Sequence, residues 1–331
     1  MNLNEIKKIV EEEYCINIKS IEKIKNVYKI NGNDGYCLKV VKYNFSHFYF
    51  ILSSILHLRN KGYLNVLDII KNKNNKYYVK LDFEVYGYLT KWIDSRKSDY
   101  DNLEELKKIA EELSRLHVYS RDFTITKNMN PRIYWFSWIN VFKTRKREII
   151  DFANRISQKA KKSEFDNIFL NNLYSELDRA NRSIEGLKNS EYINIMKKHM
   201  IKREFCHHDF ADHNVLIDKN NHINIIDFDY CILDSHLHDL SSLFIRSMKN
   251  HRWSIKKGNE ILNSYSKNIE ITKDELIVMR EFIRFPQSFW QIGLQVYWEQ
   301  QPWKKEIFLD RITKYLEDRE EREEFINNFF N

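Results

Sequence analysis

The stretch at residues 204–230, EFCHHDFADHNVLIDKNNHINIIDFDY, constrains the fold more than any other part of the chain. Two short apolar runs, NVLID and INIIDF, are joined by the turn KNNH, which is the pattern of a β-hairpin. The regions before and after it read as helices. The hairpin is therefore isolated within a helical part of the chain, placed where it can face a separate β-rich part.

Histidines and aspartates crowd the same stretch and suggest two chemistries. A dizinc pattern of the type H-x-H-x-D-H fits His208, Asp212 and His213, but its middle position is Phe210. A phenyl ring cannot replace an imidazole ligand. His207 and His208 are better read as packed or hydrogen-bonded histidines. The acids fit phosphoryl transfer, which needs a carboxylate to orient or deprotonate the attacking hydroxyl and an Asn and an Asp to hold Mg²⁺ against the phosphates. Asp209 and Asn214, five apart, followed by Asp227 at the end of the second apolar run, supply all three in one register.

The β-rich part is expected at the N-terminus. After an amphipathic first helix come strand-like runs at residues 16–24, 27–30 and 36–42, with the hairpin turn NGNDG between the last two. A helix over 45–61, stopped by Gly62, is followed by strands over 76–81 and 85–92. A kinase-like site requires a lysine on the third strand of such a lobe to pair with nucleotide phosphates. YCLKVVK provides Lys39 there, while Lys42 is expected to face solvent.

From Asp101 the periodicity becomes helical. Asp101 and Glu104 suggest a capping box, and Leu103, Leu106, Ile109, Ala110, Leu113 and Leu116 mark one apolar face. Further helices are expected over 131–160, 165–187 and 191–200, and again after the hairpin to residue 330.

Bulk properties agree with a compact α+β protein. The 331 residues include 43% hydrophobic and 14% aromatic side chains but only 7 Gly and 3 Pro, which argues against a turn-rich all-β fold and against disordered linkers. The net charge of +7 is modest. The basic cluster at 143–147 gives way to Glu148 and Asp151 and reads as a solvated helix face, so no nucleic-acid partner is expected. No apolar run approaches membrane-spanning length, the first residues lack a secretory h-region, and the scattered Cys15, Cys37, Cys206 and Cys231 read as reduced thiols.

Taken with YGYLTKWIDSR, CHHDFADHNVLID, INIIDFDYCILDSHLHDLSSLFIRSMK, ELIVMREFIRFPQSFW and REEREEFINNFF, this constellation resembles the aminoglycoside phosphotransferase and choline kinase group. More narrowly, the chain resembles the CotS-type spore coat proteins of endospore-forming bacteria. The resemblance implies a two-lobed protein kinase-like fold, with a small β-rich lobe over 1–93 and a larger, mainly helical lobe over 94–331. It also implies association with the spore coat and with other coat proteins after synthesis in the cytoplasm. Carried over by position, Asp209 resembles the catalytic base, Asn214 and Asp227 the Mg²⁺ ligands, and Asp229 a further metal-side carboxylate. Asp239 resembles an acid that braces the catalytic loop, with an ordinary N-cap as its other reading. Thr90, Trp92 and Ile93 fall on the hinge against which the adenine of ATP packs.

The sequence also departs from that pattern. The helix over 45–61 contains no Glu or Asp to align Lys39, and no glycine-rich loop lies between the first two strands. His208 stands where phosphotransferases commonly carry Gly. Two functions therefore remain open. One is an Mg-ATP-dependent phosphotransferase acting on a hydroxyl of a small molecule or coat protein. The other is a kinase-fold scaffold of the coat with little catalysis. Phe285, Phe289, Trp290, Tyr297, Trp298 and Trp303, at helical spacing, read as core, with a partner surface or an acceptor pocket as the alternatives.

Overall fold

The structure, a computed structural model describing residues 2–330, forms two compact units, each assembled from separate stretches of sequence. The first comprises the chain up to Asp99 together with 115–133 and 203–233. The second comprises 100–114, 134–202 and the chain from Asp234 onward. The hairpin stretch thus packs in one unit with the β-rich N-terminal region, although helices surround it in sequence.

In the first unit, α1 (Leu3–Tyr14) begins with a reciprocal capping box between Asn2 and Glu5, and its face Ile6, Val10 and Tyr14 is buried. Strands β1 (Ser20–Ile24), β2 (Val27–Asn31) and β3 (Gly35–Val41) follow. Next come α2 (Phe45–Asn60), β4 (Ile69–Ile70), β5 (Val79–Asp82) and β6 (Val85–Lys91). The antiparallel sheet runs β1-β2-β3-β6-β4, with β5 also paired to β6. Lys39 pairs with Val27 on one side and Tyr88 on the other, and Cys37 pairs with Thr90. Because side chains alternate, Ile30, Leu38 and Leu89 share a core with α1. Val27, Cys37, Lys39, Tyr88 and Thr90 lie on the opposite face.

Local chemistry explains where these elements stop. Helix α2 ends in a Schellman arrangement, with Gly62 at φ +88° donating to Arg59 and Tyr63 donating to Leu58. The NGNDG hairpin forms, but not through a left-handed glycine. Gly32 is needed because a Cβ there would come within 2.5 Å of the Asn17 carbonyl oxygen. Between β1 and β2 the turn is only Lys25-Asn26, with Lys25 at φ +53°.

The hairpin of the sequence is β8 (Val215–Asp218) and β9 (Ile223–Ile225), and its turn is fixed by Asp218, whose carboxylate accepts from the amides of Asn220 and His222. A third strand, β7 (Ser95–Lys97), pairs antiparallel with β8. It was not expected from the sequence, because all three of its residues are exposed and no alternation marks it.

Helix α3 (Leu103–Ser120) is capped by Asn102, which accepts from the Glu105 amide, rather than by Asp101, whose carboxylate pairs with Arg252. The second unit continues with α4 (Trp138–Ser157), α5 (Glu164–Lys188), α6 (Tyr192–Lys202), α7 (Leu237–Met248) and α8 (Ile255–Tyr265). It ends with α9 (Lys273–Arg284), α10 (Gln287–Tyr297), α11 (Lys305–Glu317) and α12 (Arg319–Phe329). Helix α4 starts later than the periodicity suggests. Phe152, Phe169, Phe289 and Tyr297 form the centre of one aromatic core in this unit. Phe285 is also buried, whereas Trp298 and Trp303 are exposed. In the basic cluster, Arg145 is not a solvated charge: its guanidinium lies 4.3 Å from the Trp290 ring centroid. No helix among the described residues is long and apolar enough to cross a membrane.

The aromatic core leaves no room at Gly293, where a Cβ would come within 2.6 Å of the buried Phe152 ring. Gly293→Ala gains about 1 kcal/mol of helix propensity, but overpacking costs about 1–3 kcal/mol. The variant is expected to unfold at lower urea concentration than the parent with an unchanged slope. A midpoint shifted upward would show that the ring yields without strain.

Candidate functional site

The site is built entirely within the first unit. Strand β3 holds Lys39 with only 7% of its surface exposed, and its ammonium donates to Asp227 Oδ1 at 2.5 Å and reaches Asp229 Oδ2 at 2.9 Å. Burial works against the charged form, yet the carboxylates of Asp229 and Asp227 outweigh it, so the lysine pKa is raised. Around the acids stand two tyrosines that the sequence reading missed. Tyr88 is fully buried on β6, and burial together with both carboxylates raises its pKa well above the ordinary value. Tyr43, just before α2, is raised by burial and by Asp229. The period-2 alternation Tyr88-x-Thr90, opposite Lys39 and Cys37, was the available signal.

Asp227 sits two residues beyond the end of β9 with φ +65° and ψ +63°, a left-handed conformation that redirects the chain. The loop before β8 is tied to it. Asn214 donates through Nδ2 to the Asp209 carbonyl at 2.9 Å and to Asp209 Oδ2 at 3.0 Å, while its own carbonyl accepts from Ile226. Asp209 and Asn214 are thus locked together, and Asn214 is linked through the backbone to the residue before Asp227. His207 is buried and its Nε2 contacts the Ile226 carbonyl at 2.8 Å, with its ring against Phe228. Phe210 is buried too. His208 adopts φ +69°, a region that favours glycine. That is the physical reason a glycine would suit this position, and His208 holds it at a conformational cost.

A cavity of about 270 Å³ opens beside Lys39 and Asp227, and Thr90, Trp92 and Ile93 line it. Val27, Leu67, Leu216 and Ile226 make its walls apolar. Asp209, Asn214 and Asp229 are not on its wall; the first two reach it through the Ile226 backbone and the third through Lys39. Strand β7 and the residue after it are tied to the hairpin and the loop before it. Ser98, just beyond β7, donates its amide to the carbonyls of Val215 and Asp212, and Lys97 pairs with the Asp212 carboxylate at 2.8 Å. Burial pushes the Cys37 thiol up to about 11, so it stays protonated at neutral pH.

Helix α2 lies on the same face of the sheet, with Phe48 stacked on Tyr86 at 5.6 Å between centroids. Its Phe45 and Phe48 rings pack on Tyr86, and Asp229 pairs with Lys39 from the hairpin side. The two-residue turn between β1 and β2 carries no glycine. Asp239 is the third residue of α7, one turn inside its His236 N-cap, and is buried in the second unit. Lys42 is exposed.

Solved structures share this architecture at low sequence identity. An aminoglycoside phosphotransferase from Alicyclobacillus acidocaldarius superposes with a TM-score of 0.84 at 18% identity, covering 97% of this chain and 94% of that one. A spectinomycin phosphotransferase in complex with ADP and spectinomycin gives a TM-score of 0.73 at 17% identity, covering 99% and 98%. The choline kinase LicA from Streptococcus pneumoniae gives 0.54 at 13% identity, covering 95% and 97%. These likenesses show the fold: mixed α+β and protein kinase-like, with a β-rich N-terminal region and a mainly helical C-terminal part. No curated protein matches the chain by sequence. A family model described as "Spore coat putative kinase YutH" matches residues 7–329, nearly the whole chain. The chain belongs to that family.

Proposed function

We propose that this protein is an Mg-ATP-dependent phosphotransferase of the spore coat that acts on a hydroxyl group of a small molecule or a coat protein. The observation that carries the reading is the contact of Lys39 with Asp227 at the wall of a cavity whose other walls are mostly apolar and include Thr90, Trp92 and Ile93. An adenine ring suits such walls, and a strand lysine at the cavity's polar end suits nucleotide phosphates. The coat location rests on the family alone.

The donor set fits magnesium. Asn214 spends its amide nitrogen on Asp209, which leaves the amide oxygen as its remaining donor, and Asp227 adds carboxylate oxygens. Oxygen donors of this kind suit a hard cation. When bound there, Mg²⁺ would neutralise phosphate charge. Asp209 would take the proton of the acceptor hydroxyl as its oxygen attacks the γ-phosphorus and the bond to the ADP oxygen breaks. Asn214 orients Asp209 for that task. Asp229 holds Lys39 in line, taking the part of the acid that α2 lacks; a metal-side role for Asp229 would require that contact to open.

A catalytically weak scaffold is the second reading, and the glycine-free two-residue turn between β1 and β2 favours it, because that turn offers few backbone amides to phosphates. Thermal-shift titration with ATP, with and without Mg²⁺, separates the two. Metal-dependent stabilisation supports the enzyme, and no shift at millimolar nucleotide supports the scaffold.

Two variants sharpen the test. Asp227→Ala is expected to abolish Mg²⁺-dependent nucleotide binding while circular dichroism stays unchanged; parental affinity would remove Asp227 from the metal site. Asp209→Asn is expected to lose roughly 100- to 10,000-fold in phosphate transfer, the range for a positioned proton acceptor, and to keep Mg-ATP affinity. Coat assembly measured for the same variant decides whether transfer matters in the spore. Normal assembly would place the protein's role there outside catalysis.

A further inference from the structure

The second unit holds a cavity of about 210 Å³ that the phosphotransfer reading does not use. Five cationic side chains line it, Arg179, Lys249, Arg311, Lys314 and Arg322, against one carboxylate, Asp318. That carboxylate is already saturated: Oδ1 accepts from Arg322 Nη1 at 2.8 Å, and Oδ2 accepts from the Asn250 amide and the Trp253 indole, each at 3.0 Å.

The two arginines at the back of the cavity differ in their partners. Arg179 is 2% exposed and donates through Nε to Glu323 and through Nη1 to Glu176 and the Tyr315 hydroxyl. Arg322 is 5% exposed and lies over the Tyr315 ring at 4.4 Å, yet its Nε and Nη2 meet no acceptor among the described residues. A buried donor without a partner costs about 1–3 kcal/mol, and more when it is charged. Burial lowers the Arg322 pKa, with the like charge of Arg179 adding to it and Tyr315, Asp318 and Glu176 opposing it. Helix α10 also begins at this cavity, where Gln287 and Ser288 line it, so the positive end of its dipole adds to the field.

We infer that this cavity is a binding site for a phosphate-class oxyanion, either inorganic phosphate or the phosphate group of a small monoester. Arg322 and the start of α10 form its buried side, and Arg311, Lys314 and Lys249 its exposed side, where an anion competes with the Asp310 carboxylate on Lys314 and the Gln295 amide oxygen on Arg311. A tetrahedral dianion supplies several acceptors at once, which fits forked guanidinium donors better than a single carboxylate does. The volume takes a phosphate with a few further heavy atoms. All these residues belong to the second unit, so the inference stands apart from the role of Lys39 and Asp227.

Isothermal titration of the full chain with inorganic phosphate, at ionic strength held constant with potassium chloride, tests it. One saturable site with a Kd of about 1 mM or tighter is expected. The double variant Arg311→Gln/Lys314→Gln should weaken binding at least tenfold while Lys39→Met leaves it unchanged. Arg322→Met should abolish it, but that change strips Asp318 of a partner and can unfold the helices, so the double variant decides. Glycerol 3-phosphate binding tenfold tighter than phosphate identifies a monoester as the ligand; equal or weaker binding identifies free phosphate. Absence of saturable heat, parental affinity in the double variant, or loss of binding in Lys39→Met alone would overturn the site.

Discussion

The ion pair between Lys39 and the two aspartates of the hairpin sets the terms for the rest of the first unit. Taking one ammonium out of water costs several kcal/mol, while a single partner at ordinary contact distance and near-surface dielectric returns about 4 kcal/mol. One carboxylate would roughly break even; two leave Lys39 charged and its pKa raised. Asp227 lies 188 residues downstream, so no local structure can satisfy the lysine. The hairpin has to leave the helices that flank it in sequence and pack with the N-terminal sheet. The buried Val215, Ile217 and Ile225 and the bond from the Ile225 amide to the Asn65 carbonyl carry that packing beside the ion pair, so the fold does not rest on either charge alone.

Several small devices make the packing possible. Strand β7 gives β8 a partner, so the hairpin becomes a three-stranded sheet with fewer unpaired backbone groups. Asn214 spends one side chain on holding Asp209 and its backbone on holding Ile226. Left-handed residues at His208 and Asp227 redirect the chain on either side of the sheet. Each such turn is costly for a residue with a Cβ. They persist because the surrounding hydrogen bonds over-determine them, the pattern expected at functional sites.

Much of this was legible in the sequence, and the reasons differ by residue. Lys39, Asp209, Asn214 and Asp227 stood out because chemistry restricts their type and the apolar runs between them fix their register. The buried aromatic core showed in its helical spacing, with Trp298 and Trp303 as exceptions that spacing cannot distinguish. Strand β7 was invisible because Ser-Arg-Lys in an exposed strand leaves no alternation. The cap of α3 was misplaced by one residue because Asp101 and Asn102 are both capping types, and only the position of Arg252 decides which is free to cap. The ion pair of Asp229 with Lys39 could not be read either, because a partner 190 positions away in the chain leaves no local pattern.

That placement bears on the departures from an ordinary kinase pattern. Lys39, Asp227 and Asp229 carry a combined formal charge of −1 when all are ionised. A dication added at Asp227 would turn this to +1, which suits an arriving polyphosphate; without it, a polyphosphate meets two carboxylates backed by a single ammonium. In the proposed function, the same three residues would therefore link nucleotide and metal binding through electrostatics alone, with no helix acid required. A protein with a short, glycine-free first turn leans harder on this coupling, because fewer backbone amides share the phosphate charge. On that proposal, the missing acid of α2 and the added acid of the hairpin are two sides of one solution: the second carboxylate beside Lys39 comes from the loop that also carries Asp227 and not from the helix.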